Sequence, residues 1–363
     1  PHPDISARRF SAVWSGKLRA PETFTGCISL SSTDSMRLYI DGKLLVDGWG
    51  TGKDSGQLID FSFENGKEYE VRIEFRNDAQ GARVIFGYNR GRENPKAALD
   101  VVSQADVAIV CLGDSTETCG ENLDRADLNL PGGQLAFLQS LYQTGTPIVL
   151  VLQNGRPLTL LWEQAHIPAI LECWYPGEKG GRAIAEILFG DVAPSGRLPM
   201  SFPKSLGQIP CNYNRMPGGG KRYVEMDWEP LYPFGYGLTY TQFSYSNLEL
   251  SGTAATVADI ESVAKIKVAL TVANIGDRFG EETVQIYLQD AFASVVKPRK
   301  ELAAIQKVAL APGESRRVEL TLGKRQLRTL GMDYQWRVEP GDFTVMAGDN
   351  AANILLTAAL TLN

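Results

Sequence analysis

The stretch "VAIVCLGDSTETCGENLDRADLNLPGGQ", Val107 to Gln134, decides the reading of the chain. An apolar run ends at Gly113, and a polar loop follows that holds Ser115, Glu117, Glu121 and Asp124. A helical pattern, "GGQLAFLQSLYQTG", then begins. A near-continuous apolar run leading through a polar loop into an amphipathic segment is the pattern of a buried parallel strand and its covering helix. Two more such units follow. "PIVLVLQNG" leads into "RPLTLLWEQAH", and "PAILECWYPG" leads into "EKGGRAIAEILFGD". Strand and helix alternate, so this part of the chain is expected to be α/β with a partly parallel sheet. Loops at the carboxyl ends of such strands carry the chemistry in open α/β folds. The opening stretch, Asn154-Gly155 and Trp174–Gly181 are therefore expected to share one crevice.

On either side the period changes. Residues from about Ile5 to Asn89 alternate apolar and polar positions, with Gly and Asp/Asn turns between short runs, which predicts a β-sandwich. "IDGK" and "ENGKEY" read as hairpin turns. "NPKAALDVVSQA" reads as a helix, with Asn94 ahead of Pro95 at its first turn. A Pro-, Gly- and Tyr-rich connector follows the α/β part, and from about Phe243 the pattern is β again, as in immunoglobulin-like and fibronectin-like sandwiches. The expected domains are 1–92 (β-sandwich), 93–200 (α/β), 201–242 (structured connector) and 243–363 (fibronectin type III-like sandwich).

Bulk properties narrow the function. The 363 residues carry a net charge of −6, which argues against nucleic acid as a partner, because phosphate binding needs a basic face. No apolar run approaches the roughly 20 residues that span a bilayer. The opening "PHPDISARRF" is polar and unlike a signal peptide, as a mature or excised fragment would also be. The five cysteines are scattered without a CxxC pair, and only His2 and His166 are present, so neither a disulfide framework nor a metal site is expected, and no cofactor.

Two chemistries compete for the opening loop. "AIVCLGDS" looks like the nucleophile block of the Gly-Asp-Ser-Leu esterases, with Ser115 as nucleophile. Such a serine needs a base, and His166, with Glu163 nearby, is the one candidate. Otherwise Ser115 is a turn residue. In the carboxylate reading, Glu117 or Glu121, partly desolvated at a strand end, donates a proton to a leaving oxygen. Otherwise these acids are solvated, and Asp127 caps the next helix.

Several long motifs, in order, resemble the carboxyl-terminal half of glycoside hydrolase family 3, the β-glucosidase and β-xylosidase family. They are "GENLDRADLNLPGGQ" (Gly120–Gln134), "PIVLVLQNGRPL" (Pro147–Leu158), "PAILECWYPGEKGGRAIAEILFGDVAPSGRLPMSFP" (Pro168–Pro203), "LYPFGYGLTYTQF" (Leu231–Phe243) and "LAPGESRRVELTL" (Leu310–Leu322). Residues Ser11–Tyr88, with "RLYIDGKLLVDGWG", resemble the protective-antigen-like sandwich that some members carry as an insert, and the last domain resembles the family's fibronectin type III-like domain. The resemblance implies a retaining mechanism in which an Asp on a TIM barrel attacks the anomeric carbon and a Glu on the α/β domain serves as acid and base. By register that Glu is Glu121, with Glu117 as second choice. Trp174, Tyr175, Arg125 and Tyr213 are candidate substrate-binding residues, with Asn214, Arg222 and Tyr223 at the rim, and the partner expected for Arg125 is Asp124 or a carboxylate across the domain interface. Trp14, Trp49 and Asp41 are glycan-binding candidates in the first sandwich.

Nothing in the sequence resembles the barrel or its nucleophile motif, and the α/β domain is expected to lack its first strands. The chain thus reads as part of an exo-acting β-glucosidase, with β-xylosidase, a non-catalytic carbohydrate-binding assembly and the Ser115 esterase as alternatives. Expected partners are a β-linked oligosaccharide or glucoside, the barrel portion of the same protein and, as one assembly, a second copy in a homodimer, with no membrane partner. The expected compartment is periplasmic or extracellular, with a cytoplasmic one left open.

Overall fold

The computed structural model describes residues 9–50, 55–78, 82–89, 95–218, 223–262 and 264–363. The chain divides into two units, Pro1–Val101 and Val102–Asn363.

The described residues of the first unit form seven strands: β1 (Phe10–Arg19), β2 (Phe24–Ser32), β3 (Ser35–Ile40), β4 (Lys43–Asp47), β5 (Ser55–Phe63), β6 (Glu68–Asn77) and β7 (Val84–Asn89). They form two antiparallel sheets, ordered β1-β6-β3-β4 and β5-β2-β7. Inward residues of both sheets meet in one core that includes Ile28, Leu30, Met36, Leu38, Phe63 and Ile73. Burying each such side chain contributes about 1.5–3 kcal/mol, which is what drives a period-two sequence into a sandwich. The "IDGK" turn forms the β3–β4 hairpin, with Asp41 and Gly42 both at positive φ (49° and 73°), as a type I′ turn requires. "ENGKEY" departs from its expected hairpin. It links β5 to β6, which lie in different sheets. Only Gly66 there has positive φ (76°), so the turn lacks the twist that pairs adjacent strands. Trp49 lies under the Arg37 and Arg76 guanidiniums, and the Asp41 carboxylate accepts from the Glu70 amide at 2.8 Å.

Helix α1 (Pro95–Val102) begins at the proline, and its expected cap, Asn94, lies outside the described residues. Then β8 (Ala108–Gly113), α2 (Gln134–Tyr142), β9 (Ile148–Gln153), α3 (Leu161–His166), β10 (Ala169–Glu172) and α4 (Gly180–Leu188) alternate. The three strands form a parallel sheet ordered β10-β9-β8, with β9 buried at its centre. Two helices start later than their sequences suggest. Asp127 caps a turn instead of α2, since its carboxylate accepts from the Asn129 amide at 3.0 Å and α2 begins at Gln134. Likewise α3 begins at Leu161 rather than Arg156. Pro157 disfavours helical geometry at Arg156, and Thr159 is bound to Leu128 and Asn129 instead (2.9 and 2.6 Å).

The last strands form a second pair of sheets. Strands β11 (Phe243–Leu250), β13 (Ile266–Asn274) and β16 (Ser315–Leu322) make one. The other is ordered β12 (Ala254–Ala255), β20 (Ile354–Leu362), β19 (Gly341–Gly348), β14 (Gly280–Asp290) and β15 (Glu301–Leu310). A two-stranded ribbon, β17 (Arg328–Leu330) with β18 (Trp336–Val338), stands apart. Val268, Leu270, Ile286, Val318 and Val345 share their core.

Candidate active site

Parallel register brings the ends of β8, β9 and β10 to one edge, with Gly113 opposite Gln153 and Glu172 opposite Leu152. Three loops leave that edge: Asp114–Gly133, Asn154–Leu160 and Cys173–Lys179. The β8 end is locked by the Gln134 side chain, which accepts from the Gly113 amide and donates to its carbonyl, both at 2.8 Å. A Cβ at Gly113 (φ +141°) would sit 2.1 Å from the Gln153 carbonyl oxygen, so only glycine fits this approach.

Asp114 organises the first loop. Its side chain is wholly buried and accepts from Thr118 Oγ1 (3.1 Å), Arg125 Nη1 (3.3 Å) and the Gly155 amide (3.3 Å). Arg125 is thereby paired with Asp114 rather than with adjacent Asp124, and it also donates to the Asn129 carbonyl at 2.6 Å. Arg156, from the second loop, donates through Nη2 to the carbonyls of Thr118 (3.3 Å) and Leu123 (3.1 Å). Between those two carbonyls stand Cys119, Gly120, exposed Glu121 and Asn122, the last at φ +61°. Glu117 is exposed as well, one turn earlier, and its amide donates to Ser115 Oγ at 3.2 Å.

Cys119 packs over Gly155. A Cβ there would lie 2.7 Å from its sulfur and 2.8 Å from the Tyr175 ring. Hydrogen bonds from the Tyr175 hydroxyl and the Arg156 guanidinium hold the Cys119 thiol below its ordinary range, and the same bond pushes the Tyr175 hydroxyl up to about 12. Tyr175 is 58 % exposed and faces solvent beside the loop. Trp174, at φ +50°, turns edge-on to Phe202 at 5.8 Å. Its amide donates to Glu172 Oε1 at 2.9 Å, and Asn154 Nδ2 donates to Glu172 Oε2 at 3.2 Å. Burial pushes the Glu172 carboxyl up to about 7, against the downward pull of these two bonds.

The sequence-derived residues do not all gather here. Glu117, Glu121, Arg125, Trp174 and Tyr175 share the strand-end edge. Tyr213 is engaged elsewhere in packing, stacked on Phe234 at 4.3 Å with its hydroxyl accepting from the Leu302 amide at 3.0 Å. Tyr223 bonds the Gly207 carbonyl, and Arg222 lies outside the described residues. The serine reading fails on geometry. His166 ends α3, the helix that returns the chain to the amino end of β10, whereas Ser115 follows the carboxyl end of β8. The His166 ring is stacked on Trp162 at 4.5 Å, and its Nδ1 lies 2.7 Å from the Trp162 carbonyl oxygen. Among the described residues no group of three His, Cys, Asp or Glu is placed to hold a metal ion, and no helix is long and apolar enough to cross a membrane. Asn154 was expected at the crevice, but Asp114, Arg156 and Glu172 escaped sequence reasoning, although each stands at or just after the end of a strand.

Residues 11–240 match the Glycosyl hydrolase family 3 C-terminal domain, and residues 282–351 match a fibronectin type III-like domain. A β-xylosidase from Formosa agariphila is 39 % identical over 78 % of this chain and 40 % of its own length. The periplasmic β-glucosidase of Salmonella typhimurium is 38 % identical over 72 % of this chain and 35 % of its own. Among solved structures, the β-glucosidase of Kluyveromyces marxianus in complex with glucose superposes with a TM-score of 0.83 at 25 % identity, over 98 % of this chain and 45 % of that one. The chain thus spans less than half the length of these relatives. By the extent of the domain match and by its relatives, this chain belongs to glycoside hydrolase family 3.

Proposed function

We propose that the chain supplies the acid/base half of a retaining, exo-acting β-glycosidase that removes terminal β-linked glucosyl residues, the nucleophilic Asp coming from a TIM barrel. The observation that carries this reading is the exposed Glu121, held on a strand-end loop between two carbonyls gripped by Arg156. In the first step Glu121 protonates the departing glycosidic oxygen while the nucleophile attacks the anomeric carbon. In the second it takes a proton from water, which displaces the enzyme carboxylate with net retention. Retention requires the two carboxyls to stand roughly 5–5.5 Å apart. The chemistry calls for no cofactor. The exposed Tyr175 ring offers an apolar face to a pyranose, with Trp174 and Arg125 shaping the wall beside it.

β-Xyloside cleavage is the second reading, favoured by the Formosa agariphila relative. A periplasmic or extracellular setting follows the Salmonella typhimurium relative. The first sandwich, read as protective-antigen-like, serves as an insert that limits substrate length, and the domain limits at 92, 200 and 242 belong to the same reading.

The test is Glu121→Gln in the glycosidase assembled with its barrel. Cellobiose hydrolysis is expected to collapse, dinitrophenyl β-glucoside is expected to accumulate glycosyl-enzyme, and azide is expected to restore turnover with β-glycosyl azide as product. Azide rescue at Glu117→Gln instead would move the acid/base by one turn of the loop, and rescue at neither would overturn the reading.

A further inference from the structure

The loop that carries Glu121 has few bonds of its own. The amides of Thr118 and Cys119 both donate to the Ser115 carbonyl, and the Leu123 amide donates to Gly120 at 3.2 Å. Side chains inside the loop add bonds among Asp114, Ser115, Glu117 and Thr118 and between Arg125 and Asn129, but the span from Thr118 to Leu123 is bridged from another segment. Arg156 Nη2 joins the Thr118 and Leu123 carbonyls, five residues apart, and so closes the loop on either side of Glu121. The root of Arg156 is fixed as well. Its carbonyl accepts from Asn154 Nδ2 at 2.8 Å, Asn154 is fully buried at the end of β9, and Pro157 stiffens the next residue. The fixed end of the central strand is thus linked, through one guanidinium, to both sides of the loop. Asp114 adds an independent tie through Thr118 Oγ1.

We infer that Arg156 is a positioning residue for Glu121: its guanidinium clamps the loop so that the Glu121 carboxyl meets the glycosidic oxygen on the facing domain. The inference rests on the Glu121 reading above. It follows from how sharply proton transfer depends on position, since a displacement of about 1 Å can cost about 100-fold in rate. With Asn122 at φ +61° and glycine at 120, the span has little intrinsic preference for one shape. A planar, permanently charged fork suits two carbonyls better than an ammonium does.

The experiment is a double-mutant cycle in the assembled glycosidase with Arg156→Ala, Arg156→Lys, Glu121→Gln and the double variant Arg156→Ala/Glu121→Gln. Arg156→Ala is expected to lower kcat/KM for cellobiose about 10- to 100-fold and for dinitrophenyl β-glucoside only about 3-fold, because an acidic phenol needs little protonation to depart. Its kcat on the aryl glucoside should rise with azide, as for Glu121→Gln, and Arg156→Lys should fall between Arg156→Ala and the parent. In the double variant the Arg156 change should cost less than about 3-fold on cellobiose, since a residue acting through another loses its effect when that other is gone. A thermal melt of each variant accompanies the kinetics. Equal losses on both substrates, or an Arg156 penalty unchanged in the Glu121→Gln background, would overturn the clamp while leaving the acid/base reading intact. If Glu121→Gln itself shows no azide rescue, the acid/base reading fails, and the clamp with it.

Discussion

Arg197 and Glu282 form an ion pair at 2.9 Å with only 8 % and 4 % of their side chains exposed. The pair ties the segment after α4 to β14, which lies beside the edge strand β15 in the last sandwich's long sheet, and Tyr245 donates to the same carboxylate at 3.0 Å. Arg197 Nε is buried and has no partner among the described residues, so the cation is not fully satisfied there. Burial pushes the Glu282 carboxyl up, and Arg197 is the chief opposing influence. Removing one partner of such a pair is costly because it strands the other. Arg197→Ala is therefore expected to destabilise by about 3–5 kcal/mol at pH 7.5. In that variant the folded-state pKa of Glu282 rises further above its unfolded value. The folded state then binds the extra proton, so stability is highest below the ordinary carboxylate range and falls as pH climbs. Urea denaturation at pH 5 and pH 7.5 should show the smaller loss at pH 5. Arg197→Met/Glu282→Gln, which removes both charges and keeps an acceptor for Tyr245, should cost less than Arg197→Ala alone.

Glu172 sets a second pH dependence, nearer the site. Its carboxyl lies at about 7 in the fold, raised by burial from 4.5. Between those values the folded protein binds a proton that the unfolded chain does not, so stability falls as pH rises from about 4.5 to about 7. The difference corresponds to roughly 3 kcal/mol. Glu172→Gln should abolish this slope. The amide oxygen still accepts from the Trp174 amide, while the new NH2 faces Asn154 Nδ2, whose bond to the Arg156 carbonyl holds that side chain in place, so one bond is lost. Thermal melts at pH 5 and pH 8 should find the variant less stable than the parent at pH 5 and gaining on it at pH 8.

What the sequence made legible follows from period and length. β9 is buried on both faces, so "IVLVLQ" reads as a strand without any tertiary knowledge, and the polar residues after it read as a loop. The partners of that loop were not legible. Arg156 meets two backbone carbonyls, which have no residue identity, so the clamp leaves no pattern in the chain. Asp114 is hidden inside a Gly-Asp-Ser string that points to its neighbour, and Glu172 sits where a strand's last residue is usually solvated. For Arg125 the sequence offered the adjacent Asp124 or an unnamed carboxylate across the domain interface, because proximity in sequence is all that sequence offers. The fold brings Asp114 to it instead, because the loop doubles back on the end of β8.

Ser115 illustrates the same limit from the other side. Its Oγ accepts from the Glu117 amide, and its carbonyl accepts from the amides of Thr118 and Cys119, which makes it the hinge of a tight turn. Ser115→Ala should therefore lower stability by about 0.5–1.5 kcal/mol, the worth of one such bond, and leave aryl acetate hydrolysis at background. An ester activity that disappears with Ser115 would contradict the placement of this turn and His166 at opposite strand ends.

Cys119 reports on the geometry of the loop directly, and this chain alone suffices for the measurement. Its thiol is held below the ordinary range first by the Tyr175 hydroxyl and then by Arg156. The thiolate is the nucleophile toward iodoacetamide, so a lowered pKa raises the reactive fraction near neutral pH. Tyr175→Phe removes the larger influence and should slow alkylation of Cys119 at pH 7.5, with the midpoint of the rate–pH profile moved upward. Gly155→Ala should act in the same direction by another route. Its new Cβ would stand 2.7 Å from the Cys119 sulfur and 2.8 Å from the Tyr175 ring, so one of the two must move. Tyr175 is the more exposed and yields first, which breaks its bond to the thiol. Because the displaced atoms are the far end of a side chain rather than backbone, the cost in stability should stay within about 1–3 kcal/mol. Peptide-resolved mass spectrometry separates Cys119 from the four other cysteines. Faster alkylation of Cys119 in Tyr175→Phe would mean that the hydroxyl shields the sulfur more than it activates it.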